Sequence, residues 1–133
     1  MISAVISSYT PVKQSAVFAV KISDDDGNTH ERVVPTTSRN AYSTQLFAVK
    51  YVCEAVENKD VALQIITQMP YIANTFQKDT DGSWKKTRKR GANASLVDEV
   101  KKLLEAFKSL SMTIDTDDKP IKLQAIAKSY SSI

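Results

Sequence analysis

The sequence is short of the residues from which most enzymatic sites are assembled. One cysteine, Cys53, excludes a disulfide within the chain. One histidine, His30, excludes a metal site built on several histidines. With 3 glycines and 4 prolines in 133 residues, collagen-like and long disordered stretches are not expected. No apolar run approaches the roughly 20 residues of a membrane-spanning helix, so no membrane partner is expected. Met1-Ile2-Ser3-Ala4-Val5 lacks the basic start and apolar run of a secretory signal. These absences together point to a reducing, intracellular, cytoplasmic setting.

What is present describes an ordinary globular chain. A hydrophobic fraction of 42% can fill a core, and a charged fraction of 25% is usual for a soluble domain. The length suits a single domain over 1–133. A net charge of +3 announces no partner by itself, so the local distribution of charge matters more. Cys53 falls within the helical spacing Tyr42, Leu46, Val49, Cys53, Val56, which reads as core rather than as half of a Cys–His dyad with His30.

Along the chain, Ala4-Val5-Ile6 starts a short apolar strand that Pro11 is expected to end. Ser15 to Ile22 reads as a second strand, and Thr29 to Val34 as a third. Between them, Asp24-Asp25-Asp26-Gly27-Asn28 is a turn signal, because Asp, Gly and Asn tolerate positive φ. Pro35 to Arg39 is expected to be a loop. The spacing then predicts helices near 41–57, 70–77, 94–109 and 120–130, with strands at 61–66 and 111–114. Asn40 or a nearby Ser is placed to cap the first helix, and Pro70 to open the second. Ser95-Leu96-Val97-Asp98 fits a capping box before the stripe Leu96, Val100, Leu103, Leu104, Phe107, Leu110. The expected core centres on Phe18, Val20, Leu46, Val49, Cys53, Ile65, Leu103 and Phe107. The order β-β-β-α-β-α-α-β-α implies an α/β fold with a mixed five-stranded sheet, its first three strands antiparallel, and flanking helices.

That order, with several local motifs, resembles ribonuclease H type 1. Ile65-Ile66-Thr67-Gln68-Met69-Pro70-Tyr71-Ile72 resembles the family's strand ending in Thr-Asp-Ser and the helix after it, with Gln68 where the Asp belongs. Thr44-Gln45-Leu46 is similar to the family's Ala-Glu-Leu, with Gln45 in place of Glu. Ser83-Trp84-Lys85-Lys86 resembles its Gly-Trp with following lysines, and Asn93-Ala94-Ser95-Leu96 its Asn-x-Asp-Leu helix start. Leu123-Gln124-Ala125-Ile126-Ala127 resembles the Asp-x-Leu-Ala segment of the last helix. The resemblance covers nearly the whole chain and implies a ribonuclease H-like fold.

The resemblance also implies a site, and the departures from the family decide how it reads. Family members use four carboxylates to hold two divalent metals about 4 Å apart for in-line phosphodiester displacement. Here Ser8, Gln45, Gln68 and Gln124 stand at those positions, and Ile114-Asp115-Thr116 replaces a Gly-His pair. Neutral amides bind Mg²⁺ poorly without carboxylates to offset its dehydration. No catalytic residue, metal or other cofactor is therefore expected. The remaining acidic clusters read as a hairpin turn at Asp24-Asp25-Asp26 and as a solvated loop at Asp115-Thr116-Asp117-Asp118.

Lys85-Lys86-Thr87-Arg88-Lys89-Arg90 carries five basic residues in six, beside Trp84. Such a cluster attracts phosphates and gains from counterion release. Trp84, Lys85, Lys86, Arg88, Lys89 and Arg90 are the candidate nucleic-acid contacts, Trp84 reading more often as a core anchor than as a stacking platform. The leading expectation is an inactive ribonuclease H-like module that binds RNA, DNA or their hybrid. A protein-interaction module docking an acidic partner is a second reading, and a divergent metal-dependent nuclease a third.

Overall fold

The computed structural model describes residues 1–12, 15–37, 40–85, 93–115 and 119–131. Strands β1 (Ile2–Val12), β2 (Ser15–Ser23) and β3 (Thr29–Thr36) form an antiparallel meander. The chain continues as α1 (Ala41–Ala55), β4 (Ala62–Thr67), α2 (Pro70–Thr75), α3 (Ala94–Glu105), β5 (Ser109–Ile114) and α4 (Lys119–Ser131). The five strands lie in the order β3-β2-β1-β4-β5, with β1–β4 and β4–β5 parallel. The mixed sheet and four helices are those the sequence pattern implies.

Side-chain alternation along the strands divides the core in two. Ala4 and Ile6 of β1, Phe18 and Val20 of β2, and Leu63 and Ile65 of β4 face α1, α2 and α3. Leu46, Val49, Val52, Cys53, Ile72, Val100 and Leu104 pack against them. Val5, Val17, Ala19 and Ile66 point to the opposite face, which Leu123 and Ala127 of α4 cover. Of the expected core, Phe18, Val20, Leu46, Val49, Cys53, Ile65 and Phe107 are buried, whereas Leu103 is half-buried at the margin.

The acidic run after β2 is a turn. The Asp24 carboxylate accepts hydrogen bonds from the Asn28 side chain and from the backbone N–H groups of Asp26 and Asn28, at 2.9–3.0 Å. These bonds, the Asn28 side chain first, hold its carboxyl below the usual range. Gly27 takes φ +86°, a conformation that favours glycine.

Helices α1 and α2 end at Ala55 and Thr75, two residues short of expectation, and three other boundaries differ for reasons the pairing explains. Pro11 lies within β1 rather than at its end. Pairing of β1 with β4 covers only Ile2 to Val5, and the β1–β2 register shifts between Tyr9 and Val12. Proline is thus accommodated at an irregularity with a strand on one side only. Pro35 likewise belongs to β3, which is an edge strand. The helical stripe stops short of Leu110: α3 ends at Glu105, and Leu110 pairs with Leu63 in β5. The Ala106 N–H turns back to the carbonyls of Leu103 and Leu104, and the Lys108 N–H is taken by the carbonyls of Lys59 and Val61. Tertiary pairing overrides the local period there.

Capping follows the expectation at one helix and departs from it at another. Asn40 caps α1, its Oδ1 accepting from the Ser43 N–H at 2.9 Å. At the other end of α1, the Lys59 ammonium donates to the carbonyls of Cys53 and Val56 and so satisfies the last turn. Helix α3 begins at Ala94, one residue before Ser95, and its N-cap Asn93 makes no side-chain capping bond among the described residues. Ser95 and Asp98 therefore do not form the expected capping box.

Candidate functional site

Ser8 lies on β1 beyond the stretch paired with β4, and Gln45 sits in the second turn of α1, behind the Asn40 cap. Gln68 follows β4 directly, before Pro70 opens α2, and Gln124 lies on α4. Four positions separated by up to 116 residues thus meet at one end of the central strands. With Tyr9, Thr10, Pro11, Ala41, Met69 and Pro70 they line a cleft of about 580 Å³. Among the described residues, none of that lining carries a charge.

Neutral hydrogen bonds fasten the base of the cleft. Gln45 Nε2 donates to Ser8 Oγ at 3.2 Å, and Thr67 Oγ1 donates to Gln45 Oε1 at 2.6 Å. The Met69 N–H donates to Thr67 Oγ1 at 3.1 Å. Gln124 Nε2 donates to the Ser8 carbonyl at 2.9 Å, which ties α4 to β1. Ser8, Gln45 and Thr67 are buried, and Gln45 is only 2% exposed. Gln68 and Gln124 are half-buried, and the Gln68 side chain makes no hydrogen bond among the described residues.

This donor set does not suit a pair of divalent cations. A hydroxyl and three amides provide oxygens but no negative charge to offset the dehydration of Mg²⁺. An amide also has no titration in the range a general base needs. Among the described residues no three of His, Cys, Asp and Glu lie close enough to hold a metal ion. The Asp115 N–H donates to the Thr67 carbonyl at 2.9 Å, yet Asp115 is not among the residues lining the cleft. Asp117 and Asp118 lie outside the described residues.

A charged region is built around Trp84. Lys78 and Trp84 pair as an isolated antiparallel bridge, and the turn between them is closed by Asp79 N–H to the Ser83 carbonyl at 2.7 Å. Asp81 caps that turn through the Ser83 hydroxyl and N–H, which hold its carboxyl below the usual range. The half-buried indole meets Phe76 edge-on at 6.3 Å, and its Nε1 donates to Glu105 Oε1 at 2.8 Å. The ammonium groups of Lys78 and Lys101 stand 4.7 and 5.7 Å from the ring centroid. Trp84 is therefore an anchor with two ammonium groups near its ring and the Glu105 carboxylate at its Nε1. Lys85 is exposed, and its N–H donates to the Gln77 carbonyl at 2.9 Å. Lys86, Arg88, Lys89 and Arg90 lie outside the described residues. Lys78 and Lys101 were not expected from the sequence; the turn signal Asp79-Thr80-Asp81-Gly82 announces the hairpin that brings Lys78 to the indole.

Cys53 and His30 form no dyad. Burial pushes the Cys53 thiol up to about 12, while the exposed His30 ring stacks on Tyr51 and shares a 3.0 Å hydrogen bond with its hydroxyl. Among the described residues no helix is long and apolar enough to cross a membrane.

No protein-family model matches this sequence, and no curated protein does. Among solved structures, the chain is similar to RNase H1 from the halophilic archaeon Halobacterium salinarum NRC-1, with a TM-score of 0.65 over 96% of this chain and 95% of that one. Sequence identity is 12%, so the likeness concerns the fold, and that fold is ribonuclease H-like.

Proposed function

We propose that the chain is a catalytically inactive ribonuclease H-like module that binds nucleic acid, duplex or RNA–DNA hybrid, through the basic segment 85–90 beside Trp84. The observation that carries this reading is the uncharged cleft. Where the resemblance implies four carboxylates, Ser8, Gln45, Gln68 and Gln124 converge instead, and Gln45 and Gln124 both donate to Ser8. Water activation by a metal pair finds no carboxylate among the described residues lining the cleft, whereas attraction of phosphate needs only cations. Five basic residues in the segment 85–90, joined by Lys78 and Lys101 at the indole, supply them.

Salt dependence of binding tests the second half of this reading. Each neutralised phosphate contributes about −0.9 to the slope of log K against log salt on duplex DNA. Replacing Lys86, Arg88 and Arg90 together by Ala should reduce the magnitude of the slope by roughly two to three units. Affinity should fall about equally for all sequences, since phosphate contacts position without specifying. Binding that is absent at low ionic strength for duplex, hybrid and single strand alike defeats the reading. Capture of an acidic protein by the same segment would then favour the docking alternative.

A further inference from the structure

The described lining of the cleft is poorly matched to the two ligands that a ribonuclease-like site would ordinarily take. Among the described lining residues a divalent cation meets no carboxylate and a phosphate meets no lysine or arginine, and the Lys128 ammonium stands beside that lining, 5.9 Å from the Tyr9 ring centroid. What the cleft offers is a set of amides between apolar walls. Gln68 presents a carbonyl oxygen and an NH₂ group, neither engaged by a hydrogen bond among the described residues. Gln124 spends one N–H on the Ser8 carbonyl and keeps its oxygen and second N–H. Tyr9, Pro11, Met69 and Pro70 provide flat or apolar surface around them. The volume of about 580 Å³ lies within the range of small-molecule pockets, about 300–1,000 Å³.

A ligand complementary to this lining is neutral, has apolar faces, and carries hydrogen-bond donors and acceptors side by side on its edge. We infer that the cleft is a binding site for an unpaired nucleobase, adenine foremost. An amide side chain meets the adenine edge twice, accepting from N6 and donating to N7, and Gln68 has both functions uncommitted. Tyr9 supplies an aromatic wall, with the Lys128 ammonium 5.9 Å from its ring centroid, and base–aromatic stacking tolerates every base. The fastening beneath contributes rigidity: Gln45, Ser8, Thr67 and the Met69 N–H bond to one another, so the cleft floor need not reorganise on binding. The role of such a site within bound nucleic acid rests on the proposed function, but the site itself does not.

Titration of adenosine into isotopically labelled protein tests the site independently of the basic segment. Saturable shifts of the Gln68 and Gln124 side-chain amides and of the Tyr9 ring are expected. In Gln68→Ala, a variant of a half-buried residue that should fold normally, the affinity read at Tyr9 should fall about tenfold. No shift at these residues up to the solubility limit of adenosine overturns the inference, as does an affinity unchanged by Gln68→Ala. A second arm places the site in context. An oligonucleotide duplex with one extrahelical adenine should bind about tenfold tighter than its abasic counterpart, with the ratio lost in Gln68→Ala and the salt slope unchanged. A ratio of one in the unmodified protein contradicts the role in bound nucleic acid. Loss of all oligonucleotide binding refutes the basic-segment reading instead and leaves the adenosine titration to decide the site.

Discussion

The cleft and the Trp84 region are joined by one short helix and are built on opposite principles. Helix α2 starts at the cleft with Met69-Pro70, and the residue that follows it, Phe76, packs against Trp84. At the first end the described polar groups are uncharged; Ser8, Gln45 and Thr67 are buried and bonded to one another, and Gln68 and Gln124 are half-buried above them. At the second end Lys78 and Glu105 are exposed and Lys101 half-buried, and the indole holds the hairpin in place while the two lysines face its ring. The difference separates two tasks. A neutral, fastened cleft confers shape and hydrogen-bonding pattern with little long-range field, whereas exposed cations confer field with little shape. In a metal-dependent nuclease one cleft must carry both charge and shape; in this chain they lie apart.

The comparison breaks most visibly at Gln45. Gln45→Ala should destabilise the protein by about 2–4 kcal/mol, because it opens a cavity and leaves the hydroxyls of Ser8 and Thr67 without their partner. Gln68→Ala, in the same cleft, should stay within about 0.5 kcal/mol. Urea unfolding of the two variants measures the contrast. Equal costs would mean that the cleft floor is not fastened as described.

The Trp84 region should yield less. Trp84→Phe keeps an aromatic ring against Phe76 and removes only the donor to Glu105, an exposed carboxylate that water can serve. A loss of about 0.5–1.5 kcal/mol is expected in the same assay. A loss as large as that of Gln45→Ala would make the indole, rather than the cleft, the main fastening.

The smallest and most pointed test compares neighbours on β1. Ser8 faces Gln45, while Ser7 is buried on the α4 side and its hydroxyl finds no hydrogen-bond partner among the described residues. Leaving a buried hydroxyl unsatisfied is costly, so Ser7→Ala should raise stability by up to about 1 kcal/mol. Ser8→Ala should lower it by about 1 kcal/mol, since Gln45 then loses an acceptor. Opposite signs at adjacent residues would sharpen the contrast between the two faces of the sheet; equal signs would remove it.

How far the sequence could be read follows from the range of the interactions. Strands and helices were legible because apolar periods of two and of 3.6 are local, and the turn at Asp24–Asn28 because its chemistry lies within five residues. The ends of elements were less so. Pro11 stays in β1 and Leu110 leaves the helix for reasons set by β2 and β4, which no local window contains. The meeting of Ser8, Gln45, Gln68 and Gln124 was legible only through resemblance, since the hydrogen bonds joining Ser8 to Gln45 and to Gln124 span 37 and 116 residues. Thr67, the hydroxyl that links Gln45 to the start of α2, was quoted in the motif but not given a role. Lys101 escaped notice because it reaches Trp84 from a different element, on α3.

The central claim is nucleic-acid binding without cleavage, and one gel reads both halves. End-labelled RNA–DNA hybrid is incubated with the protein at low ionic strength in the presence of Mn²⁺. One portion is run under native conditions and the other under denaturing conditions. The account predicts a shifted complex in the native lane and full-length strands in the denaturing lane, with the shift lost as salt is raised. Cleavage products that increase with protein concentration, or an unshifted hybrid at the lowest salt, would contradict it.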